Sequence, residues 1–157
     1  MTKFQTISLF LLRFTMGWMF FYAGITKVIN PAWSASGYLG NAKAFTGFYD
    51  WLLNPGILPT VNFVNEWSLT LLGVSLILGI GVRLSSFLGA LLMLLYYIPL
   101  GFPRPNPNAF IVDQHVIYIF VLFFFASIKA GRFMGLENWC SGLPICSKFP
   151  KLRNWFG

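Results

Sequence analysis

Four ionisable side chains lie within or at the edges of long apolar runs: Lys27, Glu66, Asp113 and His115. His115 is the only histidine, and with Asp113 it opens the stretch Phe110–Gly135, FIVDQHVIYIFVLFFFASIKAGRFMG. Placing an ionisable group in hydrocarbon costs several kcal/mol unless it is paired, so such residues mark a functional site by default. An imidazole and two carboxylates can take up and release protons near neutral pH. A lysine among them can hold an anion or polarise an oxygen. His115, Glu66 and Asp113 are therefore the expected catalytic groups, and Lys27, Arg104, Tyr118 and Tyr97 the expected substrate-binding groups. The competing reading is a structural Lys27–Glu66 ion pair, with Asp113 and His115 at wet helix ends. On an ideal helix Asp113 and His115 stand about 200° apart. Only one of them then faces the bundle axis, and His115, which shares a face with Tyr118, is the expected one.

The elements that must carry these residues are membrane helices. Of the 157 residues, 57% are hydrophobic and 10% charged, against about 25% charged in a soluble domain. The runs are long enough to span a bilayer. The expected fold is all-α, an integral membrane four-helix bundle filling residues 1–135, with spans near 4–28, 63–82, 84–102 and 110–128. A short interfacial helix, Ala42–Leu53, is expected in the first loop, among the aromatics Trp33, Tyr38, Tyr49 and Trp51. Arg13 interrupts the first apolar run and no small-residue cleavage site follows, so that run reads as a retained helix rather than a signal peptide. Arg13, Gly17, Phe20, Gly24 and Lys27 fall on one helical face, whose glycines admit a close neighbour. Arg13 itself, about 13 Å into the span, must snorkel or reach helix-end carbonyls. Asn108 is a plausible N-cap for the fourth span.

The formal charge is +7, and the basic residues cluster at segment ends and in a tail, 136–157, which favours anionic lipid over nucleic acid as partner. Lys3, Arg83, Lys129, Arg132, Lys148, Lys151 and Arg153 fall on one side of a four-span topology, and Lys27, Lys43 and Arg104 on the other. The positive-inside rule then places the chain in the cell membrane with both termini cytoplasmic. Arg13, Arg83 and Arg132 read as structural or lipid-contacting. One histidine cannot supply a bis-His haem, and two cysteines cannot ligate an iron–sulfur cluster. The C-x5-C spacing of Cys140 and Cys146 is neither a metal nor a thioredoxin-like pattern. No metal, haem or cluster is expected.

Four pieces carry a resemblance: LLRFTMGWMFFYAGITKVINPAW (Leu11–Trp33), NEWSLTLLGVSLILGIGVRLSSFLGALLMLLYY (Asn65–Tyr97), NAFIVDQHVIYIFVL (Asn108–Leu122) and AGRFMGLENW (Ala130–Trp139). In this order they resemble the DoxX/DoxD-like membrane proteins, in particular the DoxD-type subunit of thiosulfate:quinone oxidoreductase. The resemblance implies a four-helix membrane protein, electron transfer from thiosulfate or a similar reduced donor to membrane quinone, and work alongside a second, DoxA-like part. Quinone is then a substrate, and other membrane subunits or further copies of the chain are expected partners. Two other functions stay open: a non-catalytic accessory subunit of a larger energy-converting complex, and a small proton-linked carrier.

Overall fold

The computed structural model describes residues 1–101 and 109–137. Arg104, Asn108, both cysteines and all but the first two residues of the expected tail lie outside the described residues. The described chain is helical: α1 Lys3–Val28, α2 Ser36–Leu39, α3 Thr46–Leu52, α4 Leu58–Leu78, α5 Val82–Tyr97 and α6 Gln114–Ser127. Short 3₁₀ turns follow α5 at Ile98–Leu100 and α6 at Ala130–Arg132. α1, α4 and α5 with its turn are long and apolar enough to cross a membrane, and α6 is a shorter apolar helix. Large apolar side chains such as Leu71, Leu88 and Phe120 lie exposed on the outer faces. In a bilayer those faces meet acyl chains, and the helices satisfy their own backbone groups.

Local chemistry sets the boundaries, and several differ from the expected ones. α1 starts on a capping box in which the Thr2 hydroxyl accepts from the Gln5 amide and Gln5 answers to the Thr2 amide. α4 starts five residues before residue 63, helped by Pro59 in its first turn. It stops because Gly79 adopts φ +68°, and Gly81, at φ +64°, precedes α5. The turn is therefore Gly79–Gly81 rather than at residue 83, between the two expected spans, and Arg83 belongs to the first turn of α5. α6 starts at Gln114 rather than near 110. Its cap is Asp113, whose carboxylate accepts from the His115 amide at 2.9 Å and the Val116 amide at 3.2 Å.

α1 and α4 form one closely packed antiparallel pair, and α5 and α6 a second. Glycines let the first pair approach almost backbone to backbone. A Cβ at Gly17 would lie 2.9 Å from the Ile77 amide nitrogen, one at Gly24 would run into Thr70, and one at Gly73 would run into the Phe21 backbone. This is the small-residue packing of membrane helices, where dispersion rather than hydrophobic exclusion holds neighbours together. Phe20, Leu69, Leu72, Leu76, Met93, Leu122 and Phe125 fill the centre.

Arg13 is wholly buried. Its register against α4 brings it level with Gly79, just beyond the end of that helix, while residues 3–12 of α1 run on past the pair. Its guanidinium donates to the Ala130 carbonyl at 2.8 Å and the Met134 carbonyl at 3.0 Å, and lies 5.7 Å from the Phe10 ring. The expected capture of carbonyls beyond a helix end is what the structure shows. Arg132 reaches Glu137 at 3.4 Å beside it. Burial pushes the Glu137 carboxyl above its usual range, against the pull of Arg132, Lys129 and Arg13.

Forcing a methyl into the α1–α4 contact should cost about 1–3 kcal/mol through overpacking. Gly73→Ala is therefore expected to lower the Tm of the detergent-solubilised protein. Gly47→Ala, where a Cβ meets nothing within 4 Å, should leave it unchanged or raise it.

Candidate functional site

The first connection folds into a small cap with its own core of Ala35, Leu39 and Tyr49, packed on by Trp33, Leu52, Leu58 and Ile98. The interfacial helix expected over 42–53 is shorter, because Phe45 takes a left-handed conformation, φ +53°, and α3 begins after it. What ties this cap to the bundle is the end of α5. Pro99 has no N–H, so the Leu95 carbonyl four residues earlier has no helical donor. The Tyr49 hydroxyl donates to it at 3.0 Å. The Tyr38 hydroxyl donates to the next carbonyl, that of Tyr96, and the Lys43 amide to the Pro99 carbonyl at 2.8 Å.

Between the cap, α1, α4 and α5 lies a cavity of about 440 Å³, within the range of about 300–1,000 Å³ usual for small-molecule sites. Its walls are apolar and aromatic, with Trp33, Tyr38, Phe48 and Tyr49 on the cap side and Val64, Leu92 and Leu95 on the bundle side. Polar groups gather at Lys27. Its ammonium donates to the Tyr96 hydroxyl at 3.0 Å and to Asn65 Oδ1 at 3.2 Å. Tyr96 and Asn65 are themselves joined, Asn65 Nδ2 donating to the phenol at 2.6 Å and the phenol to Asn65 Oδ1 at 2.9 Å. The ammonium also sits 4.8 Å from the Trp33 ring centroid and 5.4 Å from that of Tyr96, a cation–π setting that offsets part of its desolvation. Of its three N–H donors, two go to these partners. The third is available to a ligand oxygen.

His115 joins this group through Tyr96. The two rings lie nearly parallel, 12° apart, with centroids 6.0 Å apart. His115 Nδ1 lies 2.9 Å from Asp113 Oδ2, so an ionised Asp113 fixes the tautomer with a proton on Nδ1. The expectation that only one of these two faces inward fails, because Asp113 is not helical. At φ −125°, ψ −177°, its carboxylate folds over the first turn of α6 and meets both the amides and the imidazole. Burial alone would raise the carboxyl's pKa, but the hydrogen bonds from the His115 ring and from the Val116 and His115 amides, with the electrostatic pull of His115, outweigh it and hold it below the ordinary value.

The expected residues divide into three groups. Lys27, His115 and Asp113 come together around Tyr96. Glu66 does not join them: half-buried, its carboxylate makes no hydrogen bond or ion pair among the described residues, and only its carbonyl is engaged, by the Thr70 hydroxyl. The Lys27–Glu66 ion pair of the competing reading does not form among the described residues; Lys27 meets Asn65 instead, since one residue turns a helix by about 100° and Asn65 faces α1. Tyr97 and Tyr118 do not line the cavity. The Tyr97 hydroxyl donates to the Ile111 carbonyl at 2.7 Å, anchoring the approach to α6, and Tyr118 stands edge-on to Phe20 at 5.8 Å. Arg104 lies outside the described residues. Arg83 and Lys129 line a separate small cavity between the start of α5 and the end of α6. Among the described residues no three His, Cys, Asp or Glu side chains cluster as metal ligands. Sequence reasoning did not single out Asn65, an amide beside a charge, and read the cap aromatics only as interfacial anchors. The signal that could have found Asn65 was its place on α4 opposite the end of α1.

Asp113→Ala should cost about 1 kcal/mol through loss of the cap, and Asp113→Asn much less, since asparagine also caps. Because the folded pKa is below the unfolded one, the pairing's contribution is complete above the unfolded value and lost as pH falls through the folded one. Acid melts of the wild type and the Asn variant should converge below the ordinary carboxylate range and separate above it.

The DoxX family model matches residues 8–102, from the first turns of α1 through the turn after α5. Lys27, Asn65, Tyr96 and the whole cap lie inside that match, and Asp113 and His115 beyond it. Neither a curated protein nor a solved structure matches the chain. With well over half of its length in the match, and three apolar helices long enough to span a bilayer beside a shorter fourth, this chain belongs to the DoxX family of membrane proteins.

Proposed function

We propose that the chain is a quinone-binding membrane subunit of an oxidoreductase that passes electrons from thiosulfate or a similar reduced donor to quinone. The observation that carries this reading is the cavity at Lys27. Its flat aromatic walls suit a ring, and one ammonium beside a phenol suits one carbonyl oxygen of that ring. A thiosulfate dianion calls for more cations than the single lysine there. The sulfur donor is therefore assigned to another surface or to a DoxA-like partner, which delivers two electrons to the quinone. The reduced ring also needs two protons, one at each oxygen. Lys27 and Tyr96 stand at one oxygen, and the His115–Asp113 pair behind Tyr96 is the adjacent store of exchangeable protons. The basic residues favour both termini in the cytoplasm, which sets this site toward the outer leaflet.

A hydrogen bond from a charged donor contributes about 1.5–3 kcal/mol, so Lys27→Met should weaken quinone binding by about tenfold or more, with Tyr96→Phe weaker in effect. The measurement is quinone titration of protein in detergent, with Tm checking that the variants fold. Unchanged affinity in both variants would sink the quinone reading. Quinone binding without any protein-dependent thiosulfate oxidation in membranes would favour the accessory-subunit reading instead. For the orientation, an impermeant thiol reagent applied to intact cells should leave Cys140 and Cys146 unlabelled, and labelling them would reverse it.

A further inference from the structure

α4 and α5 are joined by only three residues, Gly79–Gly81, yet along their length they pack far less closely than α1 with α4 or α5 with α6. The bundle is two tight pairs with a seam. In that seam lies a second, open-sided cavity of about 600 Å³, lined by Ser68, Leu71 and Ser75 of α4 and by Leu84, Leu88 and Leu91 of α5, of which Leu71, Leu88 and Leu91 are also exposed on the outside of the bundle. Val64, Leu92 and Leu95 line both this cavity and the one at Lys27. The two spaces therefore border one another at these three side chains. The seam cavity is apolar in spite of its serines, because Ser75 donates to the Ile80 carbonyl at 2.7 Å and lies 2.7 Å from the Ser85 hydroxyl, so these groups are spent on each other at its far end. From Val64 to Ser75 the helix rises roughly 16 Å at 1.5 Å per residue, about half of a hydrocarbon core of roughly 30 Å.

We infer that the seam is a tail channel for the site at Lys27, so that the ligand there is a quinone with a long, flexible apolar chain that enters sideways from the bilayer between α4 and α5. This rests on the quinone reading above and narrows it. The head has one polar anchor at Lys27 and Tyr96. The apolar space that borders this site at Val64, Leu92 and Leu95 leads along α4 and α5. A chain moving from lipid into this channel exchanges one apolar medium for another, so the channel adds little affinity. It fixes direction, holding the ring's leading carbonyl toward Lys27.

The test is therefore where the chain lies. Protein in phosphatidylcholine nanodiscs is photolabelled with a decyl-chain benzoquinone carrying a diazirine either at the chain end or beside the ring, and the adducts are mapped by mass spectrometry. The ring probe should label Trp33, Tyr49 or Tyr96. The chain-end probe should label α4 at 68–75 and α5 at 84–91. Ser68→Phe, which fills the seam from α4, should abolish the chain-end adducts and leave the ring adducts in place. Leu91→Trp, which fills it from α5, should do the same if the α4 variant folds poorly. Chain-end adducts spread over the lipid-facing sides of α1 and α6, or indifferent to both variants, would overturn the channel while leaving the ring site standing. Adducts in the seam formed from a second copy of the chain would overturn it too. Absence of ring adducts from the wild-type cavity would overturn the quinone reading and the channel with it.

Discussion

The register between α1 and α4 is the constraint on which the rest depends. Gly17 against Leu76 and Ile77, Gly73 against Phe21 and Gly24 against Thr70 leave no room for a side chain between the helices. A slide of one turn, about 5.4 Å, would move each of these glycines off the residue it accommodates. The same register sets Lys27 beside Asn65 and Arg13 beside the end of α4. A cation inside an apolar bundle is tolerable only where its donors meet acceptors. The glycine contact thus decides where both cations of α1 within the packed pair find acceptors, two for each, with Arg13 Nε left buried without one among the described residues.

Both ends of the bundle solve one problem, the carbonyls left over where helices stop. At one end Arg13 gathers those of Ala130 and Met134. The guanidinium fork is rigid and fully buried, and it clamps the segment after α6 onto α1. At the other end Pro99 deprives Leu95 of its donor, and two phenols and one amide of the cap complete the end of α5. The second solution leaves space, because the rings that supply the hydroxyls stand off from the helix and their faces become walls. A cavity forms where aromatic side chains do the capping.

The site that results is sparing in polar groups. One ammonium, one phenol and one amide form a closed triangle in an aromatic chamber, with an imidazole stacked behind the phenol and a carboxylate behind the imidazole. Such an arrangement orients a neutral, polarisable ligand better than it neutralises a dianion.

Composition and run length were enough for the helical membrane fold, because a chain with so few charges cannot cover itself with a water-facing surface and must place its apolar runs in lipid. The i, i+4, i+11, i+14 spacing of Arg13, Gly17, Gly24 and Lys27 was enough for the inward face of α1, since these positions fall on one side of a helix. The partners were not legible. Charge singled out Glu66, yet Asn65 is the residue that meets Lys27. Helical spacing separated Asp113 from His115, yet a non-helical cap residue brings them within 2.9 Å of each other. The cap aromatics read as head-group anchors, yet Tyr38 and Tyr49 complete the end of α5. Each depends on where two distant segments meet and on how helix ends are finished. A single sequence fixes the angle of a residue about its own axis, and only packing between axes decides what that residue faces.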